Sequence, residues 1–319
     1  MKVFIVGKRG SVTHWAEDAA AGFEAAGHEV RFGSTRNPGL HRSIERILLA
    51  RWAGVPRGVH LGRAIGRFAP DLVLVITAYH TPPPILEYLS ALPNRPPMLG
   101  WVGDRFSSEH QAVAALFDGV AYTDTGLLAL HEELGFACPA VFLPHAANAR
   151  LNAPPLGAMR RRSDMVFVAN PTEYRLALVS QIRTPVQLYG RGWVRLPGGC
   201  HQIHARRIGL EELAAVYRSH LAVLNVRNER NVMAGLNQRH FDPYHAGTPV
   251  VADDQEDLPL CFEPGREMLV YRDVDELNDL YVRLRRDPER AAAVGAAGRR
   301  RVLAEHTYGH RLTALARML

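Results

Sequence analysis

The sequence predicts an α/β protein made of two Rossmann-like, doubly wound domains that face each other across a cleft. Its 319 residues are too many for one ordinary domain and suit two domains of about 150 residues each. Strand and helix signals alternate along the chain, which is typical of doubly wound sheets. A loose segment with prolines and arginines, residues 148–163, interrupts the alternation once. We therefore expect domains at residues 1–155 and 156–300, with a final helix at 301–319 that packs back on the first domain.

The strand signals of the first half are short, continuous apolar runs. The clearest is Asp71–Ile76 (DLVLVI), in which apolar residues do not alternate with polar ones. Such a run is typical of a parallel strand that is covered on both faces. The other predicted strands of this half are Lys2–Val6, Glu29–Phe32, Met98–Val102, Gly119–Tyr122 and Ala140–Leu143, and its predicted helices include a run that ends at Ala26 and Pro84–Leu92.

The second half repeats the alternation. Its predicted strands are Asp164–Ala169, Val186–Tyr189, Leu221–Val226, Thr248–Ala252 and Met268–Tyr271. Its predicted helices are Glu173–Ile182, Leu210–His220, Gln238–Ala246, Val274–Arg286, Pro288–Glu305 and Gly309–Met318. Open parallel sheets bind ligands at the carboxyl ends of their strands, so the residues that follow these strands are the candidates for a site.

Composition excludes several classes of protein. Only two of the 38 basic residues are lysines, Lys2 and Lys8, so Schiff-base and pyridoxal-phosphate chemistry has no lysine amine in the last two-thirds of the chain. The three distant cysteines form no CxxC pair, which argues against a disulfide framework and a structural zinc site. There is no apolar run of about 18 residues and no signal-peptide pattern, so we expect a cytoplasmic protein.

The formal net charge of +6 is unevenly distributed. Residues 1–155 hold 14 basic and 13 acidic side chains (+1), whereas residues 156–319 hold 24 and 19 (+5). The arginines are mostly scattered and are not interleaved with aromatic residues, so we expect no nucleic-acid partner. A positive second half instead suits a phosphate-bearing small molecule.

The loop after the first strand, Gly7–Ser11, has neither the glycine spacing of a Walker A motif nor that of GxGxxG. We therefore expect no ATP or NAD site at this loop. No other pattern in the sequence calls for a cofactor.

The segment Asn237–Ala252 (NQRHFDPYHAGTPVVA) resembles the donor-site signature of GT-B glycosyltransferases. In that signature an acidic residue opens a helix five residues before a Gly-x-Pro turn, and Asp242 and Gly247 occupy these positions here. Further matching pieces are Tyr189–Trp193, Asn225, Phe262–Glu267, Asp275–Leu277 and Glu305–Arg311. Over residues 164–319 the series is similar to the CgeB-like, spore-maturation-type group, near the retaining family 4. The second glutamate that family 4 carries eight residues earlier is replaced by Ala234.

The resemblance implies a glycosyltransferase of the hexosyltransferase type with a nucleotide sugar, such as a UDP sugar, as its donor substrate and with no cofactor. It assigns the acceptor to the first domain and the donor to the second. No DxD motif occurs in a suitable loop, and Asp253-Asp254 is interpreted as a loop cap, so we expect no metal site. The acceptor class stays open among carbohydrate, lipid-linked, small-molecule and protein acceptors.

Candidate donor-binding residues follow from the resemblance and from charge. Asn237, Arg239 and Asp242 are expected near the N-terminus of a helix, whose free N–H groups and partial positive charge attract a diphosphate. Arg239 can pair with phosphate oxygens through two parallel hydrogen bonds. The resemblance gives Asp242 the part of the family's glutamate, which accepts hydrogen bonds from ribose hydroxyls, and Gly247 the turn that follows.

Three more residues complete the predicted donor site. Asn170 and Arg175 follow the first strand of the second domain, where GT-B enzymes contact the diphosphate. Arg175 is expected to neutralise negative charge as the nucleoside diphosphate leaves. Arg191 is the cation of the Tyr-Gly-Arg-Gly-Trp piece.

The predicted catalytic residues are Asp104, His14 and His80, and His145 is a further candidate on the acceptor side. The first three come after strands of the first half, at positions that face the predicted cleft. An inverting transfer needs a base near pH 7, which a histidine or an aspartate with a raised pKa can supply, whereas a retaining transfer needs none. Asp104 is preferred because Gly103-Asp104 lies at a sharp strand end.

Two other functions remain compatible with the same features: a GT-B-fold nucleotide-sugar 2-epimerase and a non-catalytic nucleotide- or sugar-binding protein. The run His41–Ala53 has apolar residues at helical spacing with arginines among them, so it predicts an amphipathic helix. That helix either packs in the core or makes peripheral contact with the inner face of a membrane.

Overall fold

The computed structural model describes residues 1–8, 14–35, 58–151, 161–196 and 199–319. The chain divides into two compact units, one formed by Met1–Leu143 with Tyr308–Leu319 and the other by Pro144–Thr307. The sequence predicts the division at residue 155 and the returning segment from residue 301, so both boundaries differ by several residues. The predicted amphipathic helix at residues 41–53 and much of the predicted linker lie outside the described residues.

Unit 1 contains a parallel six-stranded sheet. Its strands are β1 (Lys2–Gly7), β2 (Glu29–Ser34), β3 (Leu72–Ile76), β4 (Met98–Val102), β5 (Gly119–Tyr122) and β6 (Ala140–Phe142). They lie in the order β2-β1-β3-β4-β5-β6, with every pair parallel. Every residue of β3 and β4 is buried, as continuous apolar runs predict for strands covered on both faces.

The described α-helices of unit 1 before residue 143 are α1 (Trp15–Ala25), α2 (Val59–Phe68), α3 (Pro83–Ser90), α4 (Gln111–Ala114) and α5 (Thr125–Glu133), and two 3-10 helices lie at Ala78–His80 and Ser108–His110. Side chains from α2, α3 and α5 pack with those of the strands in one buried apolar cluster. The cluster covers the sheet and so holds its strand ends in place.

Unit 2 contains a second parallel six-stranded sheet. Its strands are β7 (Met165–Val168), β8 (Val186–Tyr189), β9 (Gln202–His204), β10 (Ala222–Asn225), β11 (Val250–Asp253) and β12 (Leu269–Tyr271). They lie in the order β12-β11-β10-β7-β8-β9. The α-helices described in this unit are α6 (Glu173–Val179), α7 (Leu210–Ser219), α8 (Leu258–Cys261), α9 (Val274–Arg286) and α10 (Pro288–Glu305). The prediction of two doubly wound parallel sheets is thereby confirmed.

The helix predicted over Gln238–Ala246 is wrong in type. The segment forms two short 3-10 helices, Gln238–His240 and Asp242–Ala246. Pro243 is the reason, because it has no N–H to donate within the helix and its ring clashes with the carbonyl four residues earlier. Gly247 then ends the second turn with φ +64, a conformation that glycine adopts without strain.

The last helix, α11 (Tyr308–Ala316), belongs to unit 1 and packs on α1. A Cβ placed on Gly22 of α1 would come within 2.5 Å of the Cβ of Tyr308, so only glycine permits this approach. The Tyr308 ring also meets Phe23 edge-on, with 6.0 Å between ring centroids.

No helix within the described ranges is both long enough and apolar enough to cross a membrane.

Candidate functional site

A buried polar cluster lies just beyond the carboxyl end of β10 in unit 2. Asn225, the last residue of β10, is fully buried and donates from Nδ2 to His240 Nδ1 at 2.9 Å and to Asn237 Oδ1 at 3.2 Å. Its Oδ1 accepts from Arg239 Nε at 3.1 Å. Asn237 also caps the first 3-10 turn by accepting from the Arg239 backbone N–H at 2.9 Å. The structure therefore brings the predicted pair Asn237 and Arg239 together, around an asparagine that orients both.

Burial in this cluster favours the neutral form of its histidine, so the candidate for its positive charge is the arginine. Burial lowers the pKa of His240 to about 3, so that imidazole is neutral. Burial also lowers the pKa of Arg239, an effect that Tyr217, Asp242 and Asp253 partly offset. Arginine is in general the side chain that keeps its positive charge in proteins, so Arg239 and not His240 is the candidate cation of this cluster.

Arg175 lies in α6 and is almost completely buried, with 4% of its surface exposed. Its Nε and Nη2 donate to the Val226 carbonyl at 3.1 and 2.8 Å, and its Nη1 donates to the Asn170 carbonyl at 2.9 Å. Burial, assisted by the charge of Arg239, lowers the pKa of Arg175 to about 9. Arg175 thus ties the loop after β7 to the loop after β10, and its predicted contact with the leaving group stays a prediction.

Asp253, which the sequence assigned to a loop cap, is the last residue of β11 and is 3% exposed. Its Oδ1 accepts from the Arg227 backbone N–H at 3.0 Å, and its Oδ2 lies 3.1 Å from Arg227 Nε. Gln255 Nε2 donates to the same carboxylate at 3.4 Å. The acidic pair Asp253-Asp254 after an apolar run is a visible sequence signal, but nothing in it shows the burial or the arginine partner.

Asp253 makes the stability of the protein depend on pH. Burial, opposed by Arg227, raises the pKa of Asp253 to about 6, whereas the pKa of an unfolded aspartate is about 4. Between these values the folded chain binds more protons than the unfolded chain, so the stability that Asp253 contributes falls as pH rises from about 4 to about 6. We expect Asp253→Asn to gain stability relative to the wild type across this window, by at most about 3 kcal/mol, measured as melting temperature against pH.

Asp118→Asn is the matched control for that measurement. Arg95 holds the pKa of Asp118 below its ordinary value, so this carboxylate contributes stability that is present at neutral pH and lost in acid. Its asparagine variant should therefore lose stability relative to the wild type as pH rises. Curves of the same sign for the two variants would contradict the assignment of Asp253.

The Tyr189–Trp193 segment packs against the loop after β7. Trp193 Nε1 donates to the Ala169 carbonyl at 2.8 Å. A Cβ on Gly192 would come within 2.6 Å of Pro171 Cγ, so the piece packs tightly next to Asn170. Arg191 lies on the exposed side of this packed loop.

Asp242 and Gly247 lie at the two ends of the second 3-10 turn. Asp242 Oδ1 accepts from the Asn148 backbone N–H at 2.9 Å, and the carboxylate is mostly buried. The Gly247 carbonyl accepts from Arg161 Nη2 at 2.9 Å and faces Gly295 of α10, where a Cβ would come within 2.3 Å of it. The predicted ribose contact of Asp242 stays a prediction, whereas Gly247 has a packing role.

In unit 1 the structure brings two predicted catalytic residues together. His80 Nε2 lies 3.2 Å from Asp104 Oδ2, at the carboxyl ends of β3 and β4, and both side chains are partly exposed. The backbone that presents His80 is strained, since Thr77 has φ 56 and a β-branched residue rarely adopts that conformation. Strain of this kind costs about 1–3 kcal/mol and is found most often at functional sites.

Of the other two histidine candidates, His14 has a different ion-pair partner, and its catalytic role stays a prediction. His14 precedes α1 rather than lying in it, and its Nδ1 is 2.8 Å from Glu17 Oε2. The expectation that His145 belongs to the first unit is wrong, because Pro144 already begins unit 2. His145 is buried there, in the electrostatic environment of His240.

A buried chain of hydrogen bonds supports the turn that carries His80, a feature that the sequence does not reveal. His131 Nε2 donates to the Cys138 carbonyl at 3.0 Å, so in the neutral imidazole Nδ1 accepts from the Tyr122 hydroxyl at 2.9 Å. Tyr122 then accepts from the Tyr79 hydroxyl at 2.6 Å. Burial raises the pKa of both tyrosines, which keeps them protonated and the chain directed.

No group of three or more histidine, cysteine, aspartate or glutamate side chains is placed to hold a metal ion within the part of the chain that the structure describes.

Comparisons with known proteins agree with this architecture. Residues 173–317 match the family described as glycosyl transferase-like. A curated relative, the GDP-mannose-dependent monoacylated α-(1-6)-phosphatidylinositol monomannoside mannosyltransferase of Corynebacterium glutamicum, is 39% identical over 83 residues. That alignment covers 25% of this chain and 22% of the relative, about a fifth of its length.

Solved structures match nearly the whole chain. Sucrose-phosphate synthase from Thermosynechococcus elongatus aligns with a TM-score of 0.68 at 15% identity, over 99% of this chain and 98% of that one. HepE from Anabaena, in complex with UDP and glucose, aligns with a TM-score of 0.68 at 11% identity over the same shares. At these identities the likeness establishes the fold of the chain.

Proposed function

We propose that this chain, a glycosyltransferase of the GT-B fold, transfers a hexosyl group from a nucleoside-diphosphate sugar to the hydroxyl group of an acceptor, without a metal ion. The observation that carries the proposal is the arginine cluster formed by Arg175 and Arg239 near the carboxyl ends of β7 and β10, where Asn225 orients Arg239. Fixed guanidinium groups stabilise the negative charge that develops on a departing diphosphate. The cluster lies within the segment that matches the glycosyl transferase-like family.

We assign the base of an inverting transfer to the His80–Asp104 pair. In that reaction the bond from the anomeric carbon to the diphosphate oxygen breaks, and its electron pair stays on the diphosphate. The acceptor oxygen bonds to the anomeric carbon and gives its proton to the pair. The 3.2 Å separation supports this assignment, because a carboxylate next to an imidazole can accept, hold and pass on a proton.

UDP is the first ligand to test, since a solved structure of similar fold holds UDP and glucose. We expect UDP to raise the melting temperature of the protein, because it binds the folded state alone. Arg239→Ala should weaken UDP binding about 10- to 100-fold in calorimetry, the effect of losing a charge-assisted hydrogen bond. Chelation of divalent metals should leave wild-type binding unchanged.

Arg300→Ala is the control, because Arg300 is an exposed arginine of the same unit on α10. It should bind UDP as the wild type does. A folded wild-type protein that binds none of UDP, GDP and dTDP would argue against a sugar-nucleotide transferase.

We also propose that the chain belongs to the CgeB-like group, which the motif series over residues 164–319 supports. A cytoplasmic location with peripheral contact at the inner membrane face is also proposed, on the amphipathic pattern of residues 41–53, and cell fractionation with liposome flotation tests it.

A further inference from the structure

The three arginines near the carboxyl end of β10 differ in how much of their hydrogen-bonding capacity is already used. Arg175 is buried, and the carbonyls of Asn170 and Val226 occupy three of its N–H groups. Arg239 is held by Asn225 through Nε. The third, Arg227, directly follows Val226 and keeps 38% of its side chain exposed. It is therefore the most open of the three to a ligand.

Arg227 contacts Asp253 through its backbone N–H and its Nε, whereas its Nη groups have no acceptor among the described residues. Its backbone N–H and its Nε both lie against the buried Asp253 carboxylate, at 3.0 and 3.1 Å. Its guanidinium lies over the Tyr174 ring, 5.9 Å from the centroid. Among the described residues, none accepts a hydrogen bond from its Nη1 or Nη2. Four N–H bonds of a planar fork remain for a ligand.

The neighbouring acid does not use this fork. Glu229, two residues along the same loop, accepts from the Thr172 hydroxyl at 3.0 Å, and its charge acts on Arg175. The ion pair between Arg227 and Asp253 is recorded at Nε, 3.1 Å from Asp253 Oδ2. A guanidinium that is ion-paired at Nε and whose two Nη groups have no acceptor among the described residues matches two oxygens of one phosphate group.

We propose that Arg227 is a diphosphate-binding residue of the donor site and that Asp253 is the positioning residue that orients it. The inference rests on the proposed function and deepens it. The ion pair with Asp253 and the contact with the Tyr174 ring reduce the side-chain freedom that Arg227 would otherwise lose on binding. The ligand class is a nucleoside diphosphate, whose phosphate oxygens take both Nη groups while the nucleoside binds elsewhere.

The test compares UDP with uridine, which lacks the diphosphate, on Arg227→Ala, Arg227→Lys and Asp253→Asn. We expect Arg227→Ala to raise the Kd for UDP about 10- to 100-fold and to leave the Kd for uridine unchanged. Arg227→Lys should lose less, because it keeps the charge without the planar fork. Asp253→Asn should raise the Kd for UDP several-fold with uridine unchanged, whereas a merely structural role would weaken both ligands equally.

Two controls make every outcome decisive. Arg230→Ala removes an exposed arginine three residues away in the same loop and should bind UDP normally. Arg227→Ala combined with Asp253→Asn removes the carboxylate that the single variant would leave buried without its partner, so folding is retained. Wild-type affinity for UDP in both Arg227 variants would overturn the inference. A folded wild-type protein that binds none of UDP, GDP and dTDP would instead overturn the proposed function.

Discussion

Asp104→Asn is expected to lower kcat of sugar transfer by about 10²- to 10⁴-fold, the usual contribution of a positioned general base. Asparagine keeps the size of the side chain and a hydrogen-bond partner for His80 Nε2, which lies 3.2 Å from Asp104 in the wild type. It removes the negative charge and the ability to take a proton. The acceptor hydroxyl then has to attack without a base, so the loss appears in kcat and not in donor affinity.

His80→Gln and His14→Ala complete this experiment. His80→Gln should reduce kcat to a similar extent, because the proton passes to the pair as a unit. His14→Ala should change kcat less than about threefold, since His14 pairs with Glu17 and not with Asp104. Calorimetry with UDP should give the same Kd for all three variants and the wild type. An unchanged kcat in Asp104→Asn would exclude a base at this position and favour a retaining transfer, which needs none.

His80 and Asp104 could each be predicted from the sequence, but the contact between them could not. Both were predicted separately, because each follows a buried parallel strand and such strands end on one edge of a sheet. Which two side chains meet depends on local backbone, here the left-handed Thr77 and the short turn after it. A positive φ at threonine leaves no mark in composition or periodicity.

The contact between Asp253 and Arg227 could not be predicted from the sequence either. Asp253 and Arg227 are ordinary charged residues in the sequence, and their importance depends on burial against each other across two adjacent strands. The helix predicted over residues 238–246 is wrong because of Pro243, a local constraint that the sequence does show. Eleven of the twelve described strands were predictable, because short apolar runs bounded by turn residues are typical of buried parallel strands. The edge strand β9 was not predicted, because it is three residues long and mostly exposed.

The close approach of Gly190 to the Ala169 carbonyl, next to the predicted donor residue Asn170, gives the largest expected effect of a substitution on stability. Gly190 has φ +151 and ψ 143, a region that residues with a side chain rarely enter. A Cβ on Gly190 would come within 2.2 Å of the Ala169 carbonyl oxygen. That oxygen belongs to the backbone and also accepts from Trp193 Nε1, so it cannot move aside without breaking this part-buried hydrogen bond.

We therefore expect Gly190→Ala to lower the free energy of unfolding by at least about 3 kcal/mol, a drop in melting temperature of about 6–12 °C for a unit of this size. Gly209→Ala is the matched control in the same unit, since a Cβ there meets nothing within 4 Å and its φ is −79. It should change stability by less than about 1 kcal/mol. The displaced Ala169 carbonyl directly precedes Asn170, whose own carbonyl holds Arg175. Any Gly190→Ala protein that folds should therefore also bind UDP more weakly, whereas equal stability and affinity in the two variants would mean that this loop does not support the donor site.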